Sequence, residues 1–333
     1  MYTPFMSFFE EKLASGSAVL APMAGFTDAP FRALCRSFGS AWAVTEMVSA
    51  KALAQGDQRS LEIPAPYPGE PDLVIQLFAS DPGDAAEASR RLMETYGPSA
   101  LDLNMGCPVK KVVHKGCGAE LMGDPDLAAE IIVAVREASG VPVSAKMRLG
   151  RKANELSSIV TPLLDAGVAA IAVHGRTAEQ KYDGNADWEP ILELSGELAI
   201  PVLVSGDVTT AEQASLLRNR GVGVMIARGA LGRPWIFSEL NGGAPPSWPE
   251  IARIMLRHVD LFRARYGPGR DLRALRGHLS SYVMQHQEMT HIREALVRVL
   301  TREDVVELLL QTGLTSAELL PSETSLVLLD SVA

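Results

Sequence analysis

The chain has 333 residues, 47% hydrophobic and 21% charged, with a formal net charge of −9. That balance describes a soluble globular protein of one large domain or two ordinary ones, and no apolar run is long enough to span a bilayer. Three cysteines (Cys35, Cys107, Cys117) exclude a disulfide framework and a paired CxxC metal site, so a reducing, cytoplasmic setting is expected.

The N-terminal "MYTPFMSFFEEKLASG" has two acids and no basic start, which does not read as a secretory signal. Short apolar or β-branched runs then recur: 18–23, 41–47, 73–79, 100–105, 141–149, 169–175, 200–206 and 223–229. Helical patterns lie between them, several with start signals. Asp28 precedes "APFRALCRSF", Asp81-Pro82 opens one helix, and Asp124-Pro125 opens another. The patterns after the second and sixth runs, "SAKALAQGDQRS" and "WEPILELSGE", are the weakest. Near-continuous apolar strands fit parallel strands buried on both faces. Eight such units in about 240 residues predict an α/β fold, a (β/α)8 TIM barrel, over residues 1–241.

Residues 242–249, within "NGGAPPSWPE", read as a linker. Beyond it every pattern is helical, so residues 250–333 are expected to form a small all-helical domain. Its charge is uneven. Residues 250–302 hold ten bases, all Arg, against five acids, whereas residues 303–333 hold six acids and no base. An Arg-rich segment on an acidic body matters more than the net total when a polyanionic partner is considered.

In such a barrel the chemistry belongs at the carboxyl ends of the strands. "VSGDV" and "MIARGALG" stand after the seventh and eighth runs, where backbone N–H groups and Arg228 suit a phosphate. Lys146 lies inside an apolar strand, and a buried ammonium needs an anionic partner. Gln76 and His174 fall in the same ring of strand ends. Cys107 opens a long loop that also holds Lys110, Lys111, His114 and Lys115. A Gly-Cys-Pro turn at a barrel mouth is not core, whereas Cys35 and Cys117 read as structural. The Cys/His spacing gives no zinc site, and no metal is expected.

The segments "APMAGFTDAPFR", "TEMVSA", "IQLFASDP", "DLNMGCPVKKV", "AKMRLG", "VHGRT" and "MIARGALGRPWIF" occur in this order. Together they resemble bacterial tRNA-dihydrouridine synthases, the B type most of all. The resemblance implies a tightly bound FMN, NADPH as reductant, and tRNA gripped by the helical domain. Pro22, Met23 and Ala24 would line the flavin, Gln76 and Lys146 would meet its ring system, and His174 would sit beside it. Ser205, Gly206 and Asp207, with Ala227 and Arg228, would hold the phosphate. Asn104 would touch the uracil, and Arg176, Arg273 and Arg276 would contact the substrate. Hydride would pass from flavin N5 to C6 of uracil, and Cys107 would protonate C5. The family usually has Asn-Gly-Asp where this chain has Ser205-Gly206-Asp207, and Gly-Arg where it has Ala227-Arg228. A monomer without a membrane partner is expected. Two alternatives stay open: an FMN barrel that reduces a free pyrimidine, and a non-catalytic RNA-binding barrel.

Overall fold

The computed structural model describes residues 7–284 and 289–320. Eight parallel strands run in chain order: β1 Val19–Leu20, β2 Val48–Ser49, β3 Val74–Phe78, β4 Ala100–Asn104, β5 Val143–Arg148, β6 Ala170–His174, β7 Val202–Ser205 and β8 Gly223–Ile226. β1 pairs with β8, and the sheet continues in reverse order to β2. Parallel bridges Leu20↔Ala43 and Val44↔Val74 close the ring between β1 and β3. The expected (β/α)8 barrel is therefore present.

The second strand departs from the expected run 41–47. Ala43 and Val44 bridge the neighbours, and the ladder resumes only at Val48 and Ser49, opposite Leu77 and Phe78. Between them Thr45 Oγ1 accepts from the Gln76 N–H (3.2 Å), so a side chain satisfies a group that the ladder leaves over. The two weak helical patterns are real. The first forms two short helices, Ala50–Ala54 and Gln58–Glu62, and the second forms Glu189–Ser195.

Start signals act where local chemistry requires them. The carboxylates of Asp28, Asp81 and Asp124 accept from the N–H groups of Phe31, Asp84 and Leu127, which otherwise lack helical partners. A helix with no expectation attached, Ser7–Ala14, packs Phe9 against Trp42 (5.7 Å between rings). With Val19, Val44, Val74, Ala100, Ala170, Leu203 and Met225 these rings belong to a cluster that fills the barrel's lower interior. A larger apolar layer joins the strands to the surrounding helices.

Helix Trp248–Tyr266 starts inside the expected linker, because Ser247 and Glu250 form a capping box. Helices Arg276–Tyr282, Thr290–Leu296 and Arg302–Leu310 follow. They share an apolar cluster that includes Leu34 and Trp235 from the barrel side. Phe31 stacks on buried His258 (5.6 Å), and the ring N–H of His278 donates to the Phe26 carbonyl (3.0 Å). The helical region thus rests on the loop after β1. Residues 285–288 of the expected helical domain, and 321–333 of its acidic segment, lie outside the described residues. Among the described residues no helix is long and apolar enough to cross a membrane.

Candidate active site

Successive strand residues point to opposite faces, and ladder partners share a face. The register sets Gln76 opposite Asp102, Asp102 opposite Ser144, and Asn104 opposite Lys146. It also sets Arg148 opposite His174, and His174 opposite Ser205. Strands that read as uniformly apolar therefore carry a polar ring on one inner face, above the apolar lower interior. Over this ring opens a cavity of about 780 Å³, within the usual range for small-ligand clefts of about 300–1,000 Å³.

Pro22, Met23 and Ala24 line one wall, where the turn is held by Met23 N–H donating to Thr27 Oγ1 (2.9 Å). Gln76, Asn104, Cys107, Lys146 and His174 line the floor and rim, and Ser205, Gly206, Asp207, Ala227 and Arg228, on the loops after β7 and β8, continue the wall beside β1. Beneath the floor runs a chain of hydrogen bonds. Ser144 Oγ and Gln76 Nε2 each donate to Asp102 (2.6 Å), and Asn104 Nδ2 donates to Gln76 Oε1 (2.8 Å). Asn104 Oδ1 in turn accepts from the Cys107 N–H (3.1 Å). Burial pushes the Asp102 carboxyl up to about 6, against its two hydrogen bonds and Lys146.

The floor is positive. Burial, and then Arg148 beside it, push Lys146 down to about 8, while Asp102 and Cys107 work the other way. Arg148 is buried and, among the described residues, donates to neutral groups, the carbonyls of Gly106, Thr177 and Lys181. Burial, with the cations Lys146, Arg148, Arg176 and Arg228 around it, drives His174 down to about 2. Tyr182 stands exposed at the rim, with the guanidinium of Arg228 4.5 Å from its ring centre.

The loop after β7 is tightly built. Gly206 has φ +107°, and a Cβ there would meet Ala186 Cβ at 2.9 Å and the His174 ring at 3.1 Å. Asp207 also has a positive φ (57°) and is held by Arg176 Nη2 (2.6 Å) and the Ala186 N–H (2.8 Å). Burial opposes its charge, but those bonds outweigh it and keep the carboxyl below its usual range. The Cys107 loop is closed in a similar way. Ala119 N–H donates to the Cys107 carbonyl (3.0 Å), and Gly118 (φ +63°) leaves no room there for a side chain. Cys107 is partly exposed, whereas Cys35 and Cys117 are buried.

Residues 19–318 match the family model described as dihydrouridine synthase (Dus). The chain belongs to the dihydrouridine synthase family. A relative from Xanthomonas campestris pv. campestris, tRNA-dihydrouridine synthase B, is 40% identical over 86% of this chain and 89% of its own. Another of that name from Pseudomonas aeruginosa is 38% identical over 80% and 83%. The B type is thus the right comparison, and the chain is an enzyme.

Three expected site residues of this dihydrouridine synthase stand apart from the cavity. Arg176 is buried behind its wall, with its guanidinium committed to Asp207 and to the carbonyls of Asp183 and Gly184. Arg273 is exposed on the helical region beside Asp271 (3.4 Å). Arg276 donates to the carbonyls of Val299 and Arg298 and so ties two helices together. Sequence reasoning missed Asp102, Ser144 and Tyr182. Asp102 had a legible signal: it lies two residues before Asn104, hence on the same face of the same strand.

Proposed function

We propose that the protein reduces the C5=C6 bond of uridines in tRNA, with FMN as tightly bound cofactor, NADPH as electron source, and the cytoplasm as its setting. The observation that carries this reading is the cation pair on the cavity floor. Among the described residues neither Lys146 nor Arg148 has a carboxylate in ion-pair contact, so the floor fits a ligand that is or becomes anionic. The loops after β7 and β8, with Gly206, Ala227 and Arg228, fit the phosphate of such a ligand. Bound there, the flavin supplies the hydride.

The chain's own groups have separable tasks. Pro22, Met23 and Ala24 form the wall along which a flat ring system lies. Lys146 holds negative charge at the floor, and neutral His174 adds a hydrogen-bond donor without adding charge. Cys107, on its closed loop at the rim, gives a proton to C5 of the uracil ring. Asn104 spends its Oδ1 on the Cys107 turn, which leaves an Nδ2 hydrogen for the base. A uridine in folded tRNA must turn out of its stack to reach this depth. Exposed arginines such as Arg273 hold the tRNA backbone, while Arg176 and Arg276 support the site and the helices that contact it.

The test is Cys107→Ala. The variant is expected to keep its yellow cofactor and bind tRNA while dihydrouridine formation falls at least about a hundredfold, the usual weight of a general acid. Product formation near the parent rate, scored by mass spectrometry of tRNA digests, would remove Cys107 from the role.

A further inference from the structure

The hydrogen-bond chain under the cavity has a direction, and one residue sets it. A primary amide can be turned end for end, exchanging its oxygen and its NH2 with little change of shape. Gln76 and Asn104 are both amides. Shape alone would let either end of Asn104 face the turn at Cys107.

Asp102 removes that freedom, because an ionised carboxylate only accepts. Its Oδ1 takes Ser144 Oγ and its Oδ2 takes Gln76 Nε2, both at 2.6 Å. With its nitrogen held there, Gln76 turns Oε1 toward Asn104 Nδ2 (2.8 Å). Asn104 Oδ1 is then the end that meets the N–H groups of Gly106 (3.3 Å) and Cys107 (3.1 Å). Reversing Gln76 would set NH2 against NH2, and reversing Asn104 would set NH2 against two backbone N–H groups. Each reversal leaves buried donors unpaired, at a cost that holds the order in place.

We propose that Asp102 is a positioning residue for the reaction: through Gln76 and Asn104 it fixes the turn that presents the Cys107 thiol. This rests on the reading of Cys107 as proton donor. Asp102 never reaches the cavity itself and acts only through the two amides.

Its charge has a second effect. The groups that act on Lys146 are Arg148 on its own strand, Asp102 on β4 and Cys107 on the loop after β4, while neutral His174 on β6 adds no charge. Burial and Arg148 push the Lys146 proton off, and Asp102 helps to hold it on. Removing the charge of Asp102 while keeping its shape therefore moves the discharge of Lys146 to lower pH.

The test uses the flavin-loaded full chain as parent, Asp102→Ala and Asp102→Asn. One readout is the rate of Cys107 alkylation by iodoacetamide, mapped by peptide mass. Cys35 and Cys117 are buried and label slowly. The other is uridine reduction at saturating tRNA across pH. In Asp102→Ala the alkylation rate is expected to change, and turnover to fall, each by about tenfold, the equivalent of one orphaned buried hydrogen bond. The KM for tRNA stays put. Asp102→Asn keeps an acceptor for Gln76, and Ser144 accepts from its NH2, so alkylation stays within about twofold of the parent. Its pH–rate profile nevertheless loses activity at lower pH on the basic side. A folded Asp102→Ala with both rates unchanged overturns the proposal. If that variant does not fold, Gln76→Met, which cuts the relay between Asp102 and Asn104, takes its place, and an unchanged Cys107 alkylation rate in it overturns the proposal. Alkylation needs no turnover, so failure of Cys107 as donor and failure of Asp102 as its positioner are separate results.

Discussion

Lys146 and His174 stand on adjacent strands, and burial moves both toward their neutral forms, with opposite consequences at neutral pH. Lys146, at about 8, is still charged there. Turnover is expected to fall as pH rises through about 8, and Lys146→Met should weaken flavin retention on gel filtration. His174, at about 2, is neutral throughout the working range. Arg176 Nη1, which can only donate, lies 3.2 Å from His174 Nε2, so the ring proton sits on Nδ1. Between about 2 and 6.5 the unfolded chain binds a proton at His174 that the folded chain does not, so stability falls as pH drops below 6.5. With partial exposure discounted, His174→Gln should remove up to about 1 kcal/mol of that loss per pH unit. Urea unfolding of both proteins at two acidic pH values measures the difference.

At the scale of elements, the loop after β7 depends most on a single atom. Gly206→Ala would force a side chain into a left-handed backbone and against Ala186 and His174. A cost of about 1–3 kcal/mol is expected, seen as a lower Tm and a colourless protein. The helix starts at Asp28, Asp81 and Asp124 were legible because a cap is a local affair of three or four residues. The second strand was not. Its break at Thr45 depends on the Gln76 N–H thirty-one residues away, and no local pattern reports that. Asp102 was hidden differently: within "ALDLNM" it passes for a lone acid in an apolar run. Only the register with Gln76 and Ser144 shows that two strands supply its partners.

For the whole molecule, the helical region and the cavity meet at Phe26. This residue lines the cavity, and its carbonyl takes the His278 ring N–H. Exposed and structural arginines of this region should separate by experiment. Arg273→Gln is expected to lower the salt slope of tRNA binding by about one and leave stability unchanged. Arg276→Gln removes two hydrogen bonds to carbonyls and should cost about 1–3 kcal/mol in stability first. Filter binding over a salt series and thermal unfolding measure the two effects.

The order of the chain determined the barrel, because eight apolar runs with capped helices between them have few other ways to bury both faces of every strand. It also determined that Cys107, Lys146, His174 and the loops after the last two strands would share one mouth, since strand ends of a barrel converge. What it left open was how the side chains are spent. Arg176 and Asp207 look equally available in sequence, yet Arg176 lies behind the cavity wall and is spent on neutralising Asp207. Arg273 and Arg276 are three residues apart, and one faces solvent while the other ties two helices together. Such assignments depend on distances between residues far apart in the chain, and those exist only once the strands are in register.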